Sequence, residues 1–337
     1  MRRLPIESPR RRKSHTHSSP EIRTLASVAV PIDPTDPISH GQGQTFSRSL
    51  GIGFLGLAGV TYILVILGAL VRANGAGLAC PDWPLCFGQV VPRFDVKIAF
   101  EWGHRALAGS VGIVFLALSA LTLRRPALRS RMWLPLLVTA LLLATQIVLG
   151  GLTVLELLAS WTVTSHLVTG NAFALALVLV GRSLLEEDSG GDHGAERASS
   201  TVRNLTTLAA IILTAQIILG GLVSSTYAGL VCPDWPTCMN GEVFPTWRGL
   251  QGLHLFHRFV GYTCLIAIVT AAVVSREHLG ARPWLATAAV FALLQVAVGI
   301  TNVLLRLPVE VTGLHSALAA GLICTVGVAV REVWRNT

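Results

Sequence analysis

Five histidines lie in or beside long apolar stretches: His104, His166, His254, His257 and His315. An ionisable side chain inside an apolar span is costly, and such residues usually serve a function. Four of them (His104, His166, His257 and His315) fall one per alternate span. All four lie at a similar depth, roughly 9 Å from the span end at 1.5 Å per residue. Two imidazoles at one depth in each half of the chain are the set needed to ligate two haem irons axially. Each flat macrocycle would lie between two helices that offer one His apiece. The competing reading is four interhelical histidines satisfied by hydrogen bonds. Zinc fits less well, since no Cys lies at that depth near all four.

Other polar residues gather around these four. Glu101 precedes His104 by three positions and so shares its helix face. The corresponding residue before His257 is His254. A carboxylate in one half and an imidazole in the other suggests divided labour, with reaction at one haem and electron transfer or support at the other. Glu101 could accept a proton or stabilise developing positive charge; its blander role is an ion pair with Arg105. Arg105 and Arg258 follow their histidines directly and could meet haem propionates or snorkel to lipid head groups. Gln146, Gln216 and Gln295 each have a Gly four residues on; interhelical hydrogen bonding is their default role, contact with haem the alternative. Cys80 with Cys86, and Cys232 with Cys238, each frame a Pro-Asp-Trp-Pro core. A short loop held by two Pro can bring the sulfurs together, so each pair is expected to form a disulfide, either a structural clip or a redox-active pair.

The elements that must position these groups follow from composition. The chain has 337 residues, 52% hydrophobic and 13% charged, with a mean hydropathy of +0.62. Soluble domains carry about 25% charged residues. This composition excludes a cytosolic soluble enzyme, a disordered protein or a small secreted module. Eight apolar stretches reach the roughly 20 residues needed to cross a bilayer. They are residues 51–72, 99–123, 133–153, 161–181, 204–225, 250–275, 284–305 and 310–331. The expected fold is an all-α integral membrane protein of eight transmembrane helices. The formal net charge of +8 is read as membrane orientation by Arg, with no nucleic-acid partner.

The chain repeats itself. Residues 77–86 and 229–238 are identical at eight of ten positions, and Gln146, Gly150 and His166 recur as Gln295, Gly299 and His315. The eight helices are therefore expected to form two tandem-repeated four-helix bundles, residues 49–181 and 204–337, joined by a cytoplasmic linker over 182–203. With four spans per half, both halves insert in the same sense. Residues 1–48 carry eight Lys or Arg against four acids and no apolar period, and are expected to be a disordered basic cytoplasmic tail. No cleaved signal peptide is expected there. Arg124, Arg125, Arg129 and Arg131 fill the loop after the second span, whereas residues 154–160 hold no Lys or Arg. The positive-inside rule then puts both termini in the cytoplasm and the cysteine loops outside.

The cysteine-loop sequence, the segment Glu101-Trp102-Gly103-His104-Arg105 and one His on each even-numbered span together resemble the heme A synthase family. The resemblance covers all eight spans and omits the tail. It implies a bacterial plasma-membrane enzyme of cytochrome oxidase assembly, of the type with two cysteine pairs. The implied reaction oxidises the C8 methyl of heme O to a formyl group, by two hydroxylations and loss of water from the gem-diol. It further implies heme b as cofactor on His257 and His315 and heme O as substrate at His104 and His166. Glu101 would be the catalytic carboxylate, with the Cys80–Cys86 loop over the substrate site. Membrane lipid, an electron acceptor, a heme O synthase and a second copy of the chain are the partners considered. Three competitors stand beside it. A diheme b-type electron-transfer cytochrome gives no reason for Glu101 to break the symmetry. A thiol oxidoreductase is disfavoured by the Cys-x5-Cys spacing. A transporter would move haem unchanged.

Overall fold

The computed structural model describes residues 37–93, 95–188 and 197–335. Eight helices follow in order: α1 (Pro37–Ala73), α2 (Val96–Leu123), α3 (Pro126–Leu155), α4 (Ser160–Asp188), α5 (Ser200–Ser225), α6 (Gly249–Val274), α7 (Arg282–Leu304) and α8 (Val309–Trp334). Each is long and apolar enough to cross a membrane. Among the described residues there is no β-strand, only two isolated bridges inside the cysteine loops. The start signals are local. Asp95 caps α2 by accepting from the Ile98 N–H at 2.9 Å, and Ser199 caps α5 by accepting from Val202 N–H at 3.3 Å. Pro126 opens α3, where a missing N–H costs nothing.

The expected boundaries shift in two places. α1 begins at Pro37, so residues 37–48 are helical and not part of an unstructured tail. Tertiary packing holds the helix at residues 46 and 47. Ser47 is buried and donates to the Leu184 carbonyl at 3.0 Å, and Phe46 lies under the Arg125 guanidinium at 4.4 Å. The expected linker is likewise trimmed, with α4 continuing to Asp188 and α5 starting at Ser200. Leu184 is fully buried, and Arg182 and Glu186 have partners on α8, which holds the extra turns. The rest of the tail, residues 1–36, and the linker centre, 189–196, lie outside the described residues.

Each half encloses its own apolar core. In the first, Phe115 of α2 meets Phe54 of α1 and Phe173 of α4 edge-on, with centroids at 6.4 and 5.8 Å. Leu177, Val180, Met132 and Leu136 close around them. The second core is built of smaller residues, among them Ala209, Ala288, Ala292 and Ile268, and takes in Cys264, which is a free thiol there. The halves meet through α4, α5 and α8, with α1 against α8. Glycine permits the close approach: a Cβ on Gly221 would lie 2.8 Å from Thr164, and one on Gly313 would lie 2.9 Å from Leu70. Tyr62 Oη donates across to the Ala317 carbonyl at 2.8 Å.

The α3–α4 and α7–α8 turns share one design. Leu157 and Leu158 have φ of 49° and 63°, and Arg306 and Leu307 have φ of 63° and 61°. In each turn the second of these residues donates back to the helix end, Leu158 N to Thr153 O and Leu307 N to Asn302 O, both at 2.8 Å. This is a Schellman cap built without glycine, so each left-handed residue costs roughly 1–2 kcal/mol. The leucines gain packing in exchange. Leu158 covers Gly77 and Leu307 covers Gly229, at the start of the two cysteine loops. At the other end of the bundle, Arg331 pairs with Glu186 at 2.6 Å and Arg182 with Glu332 at 2.7 Å, joining α4 to α8.

Replacing Arg331 by Ala leaves Glu186 and the largely buried Glu332 short of a cation. The variant should lose about 1–3 kcal/mol, seen as a lower thermal midpoint in detergent. An unchanged midpoint would show that the network does not hold the halves together.

Candidate functional site

All four histidines predicted to bind haem sit on helix backbone. In each helical hairpin the odd helix presents a glycine and the even helix presents the imidazole. A Cβ placed on Gly68, Gly150, Gly220 or Gly299 would lie 3.1, 3.0, 3.2 or 3.0 Å from Cε1 of His104, His166, His257 or His315 respectively. No other residue gives the ring that clearance without displacing it. One turn earlier on three of the odd helices stands a glutamine. Gln146 Nε2 lies 3.2 Å from His166 Nε2, and Gln295 Nε2 lies 3.2 Å from His315 Nε2. Gln216 Nε2 lies 3.1 Å from His257 Nδ1 and 3.5 Å from its Nε2. Gln146 is itself held by the Thr169 hydroxyl, which donates to its Oε1 at 2.5 Å.

The imidazoles fall two to each half: His104 on α2 with His166 on α4, and His257 on α6 with His315 on α8. Nδ1 of His104, His166 and His315 is buried and has no hydrogen-bond partner. Among the described residues no group of three or more His, Cys, Asp or Glu could hold a metal ion. The donor set is thus two imidazoles per half. That fits an iron whose other four ligands come from a macrocycle, and not a bare ion that needs a full protein cage.

Glu101 is buried, and both of its oxygens are engaged. Oε2 accepts from the Cys80 N–H at 2.8 Å, and Oε1 accepts from Arg105 Nη2 at 2.5 Å. Arg105 goes on to donate to the carbonyls of Asp82, Leu85 and Cys80, at 2.7, 2.7 and 3.1 Å. The guanidinium therefore gathers the loop carbonyls, and the carboxylate balances its charge. Cys80 and Cys86 are disulfide-bonded and buried. Asp82 closes the loop by accepting from the N–H groups of Phe87 and Gly88, at 2.6 and 2.7 Å. The Gly88 and Phe87 N–H groups hold its carboxyl below the usual range.

The second half repeats the clamp with one substitution. Arg258 donates to the carbonyls of Cys232, Asp234 and Thr237, at 2.7, 3.0 and 3.1 Å, over the Cys232–Cys238 disulfide. His254 stands where Glu101 stands. Its Nδ1 donates to the Ala228 carbonyl at 2.9 Å, and its Nε2 accepts from Arg258 Nε at 3.2 Å. One position thus ties loop to helix in both halves, as an acceptor in the first and as a neutral donor–acceptor in the second. Neither Arg105 nor Arg258 reaches toward the imidazole pair through these bonds; both are loop clamps. The loop tryptophans also differ. Trp83 packs on Gly151, next to the glycine that seats His166, whereas Trp235 Nε1 donates to Tyr262 Oη at 2.9 Å. The site role of the Gln and Gly residues was only half visible beforehand. Their four-residue spacing was legible, but the histidine each pair serves lies one helix away.

Comparison with known proteins adds the relatives. A family model described as cytochrome oxidase assembly protein matches residues 53–326. A heme A synthase of Shewanella oneidensis is 29% identical over 82% of this chain and 94% of its own length. One from Caulobacter vibrioides is 29% identical over 86% of the chain and 96% of its own length. One from Halalkalibacterium halodurans is 28% identical over 86% and 98%.

The glycine seats can be tested directly. Gly299→Ala puts a methyl into the His315 ring edge, so haem bound in the second half should weaken by about tenfold or more, as when a ligand's support is removed. Pyridine haemochrome titration of the purified protein measures this. Undiminished haem would show that the glycine seat does not position the imidazole.

Proposed function

We propose a function from one premise, that this chain belongs to the cytochrome oxidase assembly protein family: it is a heme A synthase, an oxidoreductase that acts on heme O. The observation that carries the reading is the two imidazoles of each half, each seated on a glycine, below disulfide loops that are tied to Glu101 in the first half and to His254 in the second. His257 and His315, both held by glutamine amides, hold a resident heme b. His104 and His166 hold the substrate heme O. Heme b supplies a one-electron relay to an external acceptor.

The substrate change is the C8 methyl to a formyl group. With water as the oxygen source, each hydroxylation releases two electrons and two protons, and the gem-diol then loses water. Glu101 lies on the same face and one turn from His104, at the loop end of the site. As the catalytic carboxylate it would accept or relay protons from the reacting methyl and stabilise positive charge there. Its bonds to Arg105 and the Cys80 N–H fix where that negative charge sits. The disulfide loop and Trp83 form the roof of the substrate site and limit water access. Positive charge after α2, between α4 and α5 and after α8 puts both termini in the cytoplasm and the cysteine loops outside. The chain is a multi-pass protein of the bacterial plasma membrane. The electron acceptor and the protein that delivers heme O meet it there.

Glu101→Gln separates catalysis from scaffolding. The amide oxygen still accepts the Cys80 N–H; the amide NH2 loses the Arg105 ion pair, but the Arg105 bonds to the Asp82, Leu85 and Cys80 carbonyls keep the loop anchored, so both haems should bind. Heme A and hydroxylated heme O should disappear from the extracted pigments, a fall of about 100-fold or more if the group moves protons in the slow step. Heme A at the wild-type level in this variant would remove Glu101 from the chemistry.

A further inference from the structure

The two loop clamps match in all but one buried charge. Arg105 and Arg258 each follow a site histidine directly and gather carbonyls of their own disulfide loop. Asp82 and Asp234 recur at the same place in the two loops. The difference lies three residues before the histidine. There the first half has Glu101, paired with Arg105 at 2.5 Å. The second half has His254, whose Nδ1 donates to the Ala228 carbonyl while its Nε2 accepts from Arg258 Nε. A ring that donates at one nitrogen and accepts at the other is neutral. The first clamp therefore carries one negative charge more than the second. Glu101 and His254 are 4% and 3% exposed, so water screens this difference little. Three residues rise about 4.5 Å along a helix, which puts each clamp about one turn from its histidine. The other charges of the two loops, Arg93, Asp95 and Lys97 in the first and Glu242 and Arg248 in the second, are exposed and largely screened. Arg72, at the seam, belongs to α1 and donates to the Ser224 carbonyl and the Tyr227 hydroxyl of the second half; it serves both halves and does not undo the difference.

We infer that this one charge orders the reduction potentials of the two sites: Glu101 lowers the first, the neutral His254 beside Arg258 leaves the second higher, and electrons run downhill from the first half to the second. This rests on the reading of the four histidines as haem ligands. Ferric haem carries one positive charge more than ferrous haem. A buried carboxylate one turn from a ligand favours the ferric form and lowers the potential, and a buried guanidinium without a counter-charge does the reverse. The step moves one electron from a ferrous iron in the first half to a ferric iron in the second, with no bond made or broken and no proton moved. The exchange of Glu for His then serves both ends. The anion stands where positive charge develops on the substrate, and the unbalanced cation stands where the electron must arrive. A unit charge roughly 12 Å away, at an effective dielectric constant of about 20, changes such an equilibrium by about tenfold. That is about 59 mV for a one-electron couple.

The test uses the full-length chain in lipid nanodiscs, loaded with iron protoporphyrin IX as the probe at both sites. The macrocycle is then the same in each, and any difference in potential belongs to the protein. Optical redox titration reads the midpoints without turnover, and the double variant His257→Ala/His315→Ala, which leaves only the first site, assigns them. In the wild-type protein the second-half haem should titrate above the first. His254→Glu should lower the second midpoint by about 59 mV, a tenfold change in the reduction equilibrium. Glu101→Gln should raise the first midpoint by a similar amount. His254→Gln adds no charge and should leave the second midpoint at its wild-type value, which separates charge from a lost loop contact. Each half carries its own test, so loss of haem from one variant leaves the other to decide. Midpoints in the reverse order, an unmoved midpoint in Glu101→Gln or His254→Glu protein that keeps its haems, or an equal fall in His254→Gln and His254→Glu overturns the proposal and leaves the haem assignment intact. Unaltered haem content and spectra in both His104→Ala/His166→Ala and His257→Ala/His315→Ala would instead overturn the assignment itself.

Discussion

The contact of an imidazole edge with bare helix backbone is the constraint from which the rest of this architecture follows. A ring can sit that close only if the facing residue has no Cβ and if the two helices stay antiparallel and adjacent. The protein meets this four times, and each time the partners are consecutive helices of one hairpin. The hairpin connections are built for the same end. Two are disulfide loops clamped by an arginine, and two are Schellman turns whose leucines press on those loops. The left-handed leucine and arginine residues in these turns carry strain that apolar packing offsets.

The same repetition makes the departures informative. An arginine gathers the loop carbonyls in both halves, so that clamp is common to the two. The residue beside it changes from Glu101, which accepts from the Cys80 N–H, to His254, which donates to the Ala228 carbonyl, so the charge and the direction of the tie to the loop change together. The aromatic roof moves from Gly151 to Tyr262, because a glycine on α3 makes room that α7 lacks. A glutamine at hydrogen-bond distance from the imidazole stands on α3, α5 and α7 but not on α1. All three departures fall around the first imidazole pair.

Much of this was legible in the residues. Eight apolar runs gave eight helices, because hydrocarbon leaves the backbone no other way to satisfy itself. The cysteine pairs and the His ladder came from identity between the halves. Less visible was whatever depends on packing between distant segments. Ser47 ties α1 to α4 through the Leu184 carbonyl, a contact outside the apolar runs that mark the two helices. Arg105 and Arg258 read as haem-propionate contacts or lipid anchors, and their bonds to the loop carbonyls lie across a turn that no spacing reveals. The Gln–Gly spacing was plain along each helix, but its purpose lay on the neighbouring one.

The central claim is that the two imidazole pairs hold two haems with different fates. Extraction and chromatography of the haems from the full-length chain, expressed with a source of heme O, tests it most directly. The account predicts heme b together with heme A or a hydroxylated heme O. It also predicts that replacing His257 and His315 by Ala removes the heme b and leaves the first site able to hold heme O. Heme b alone at both sites, with no oxidised product, would contradict it and mark the chain as an electron-transfer cytochrome.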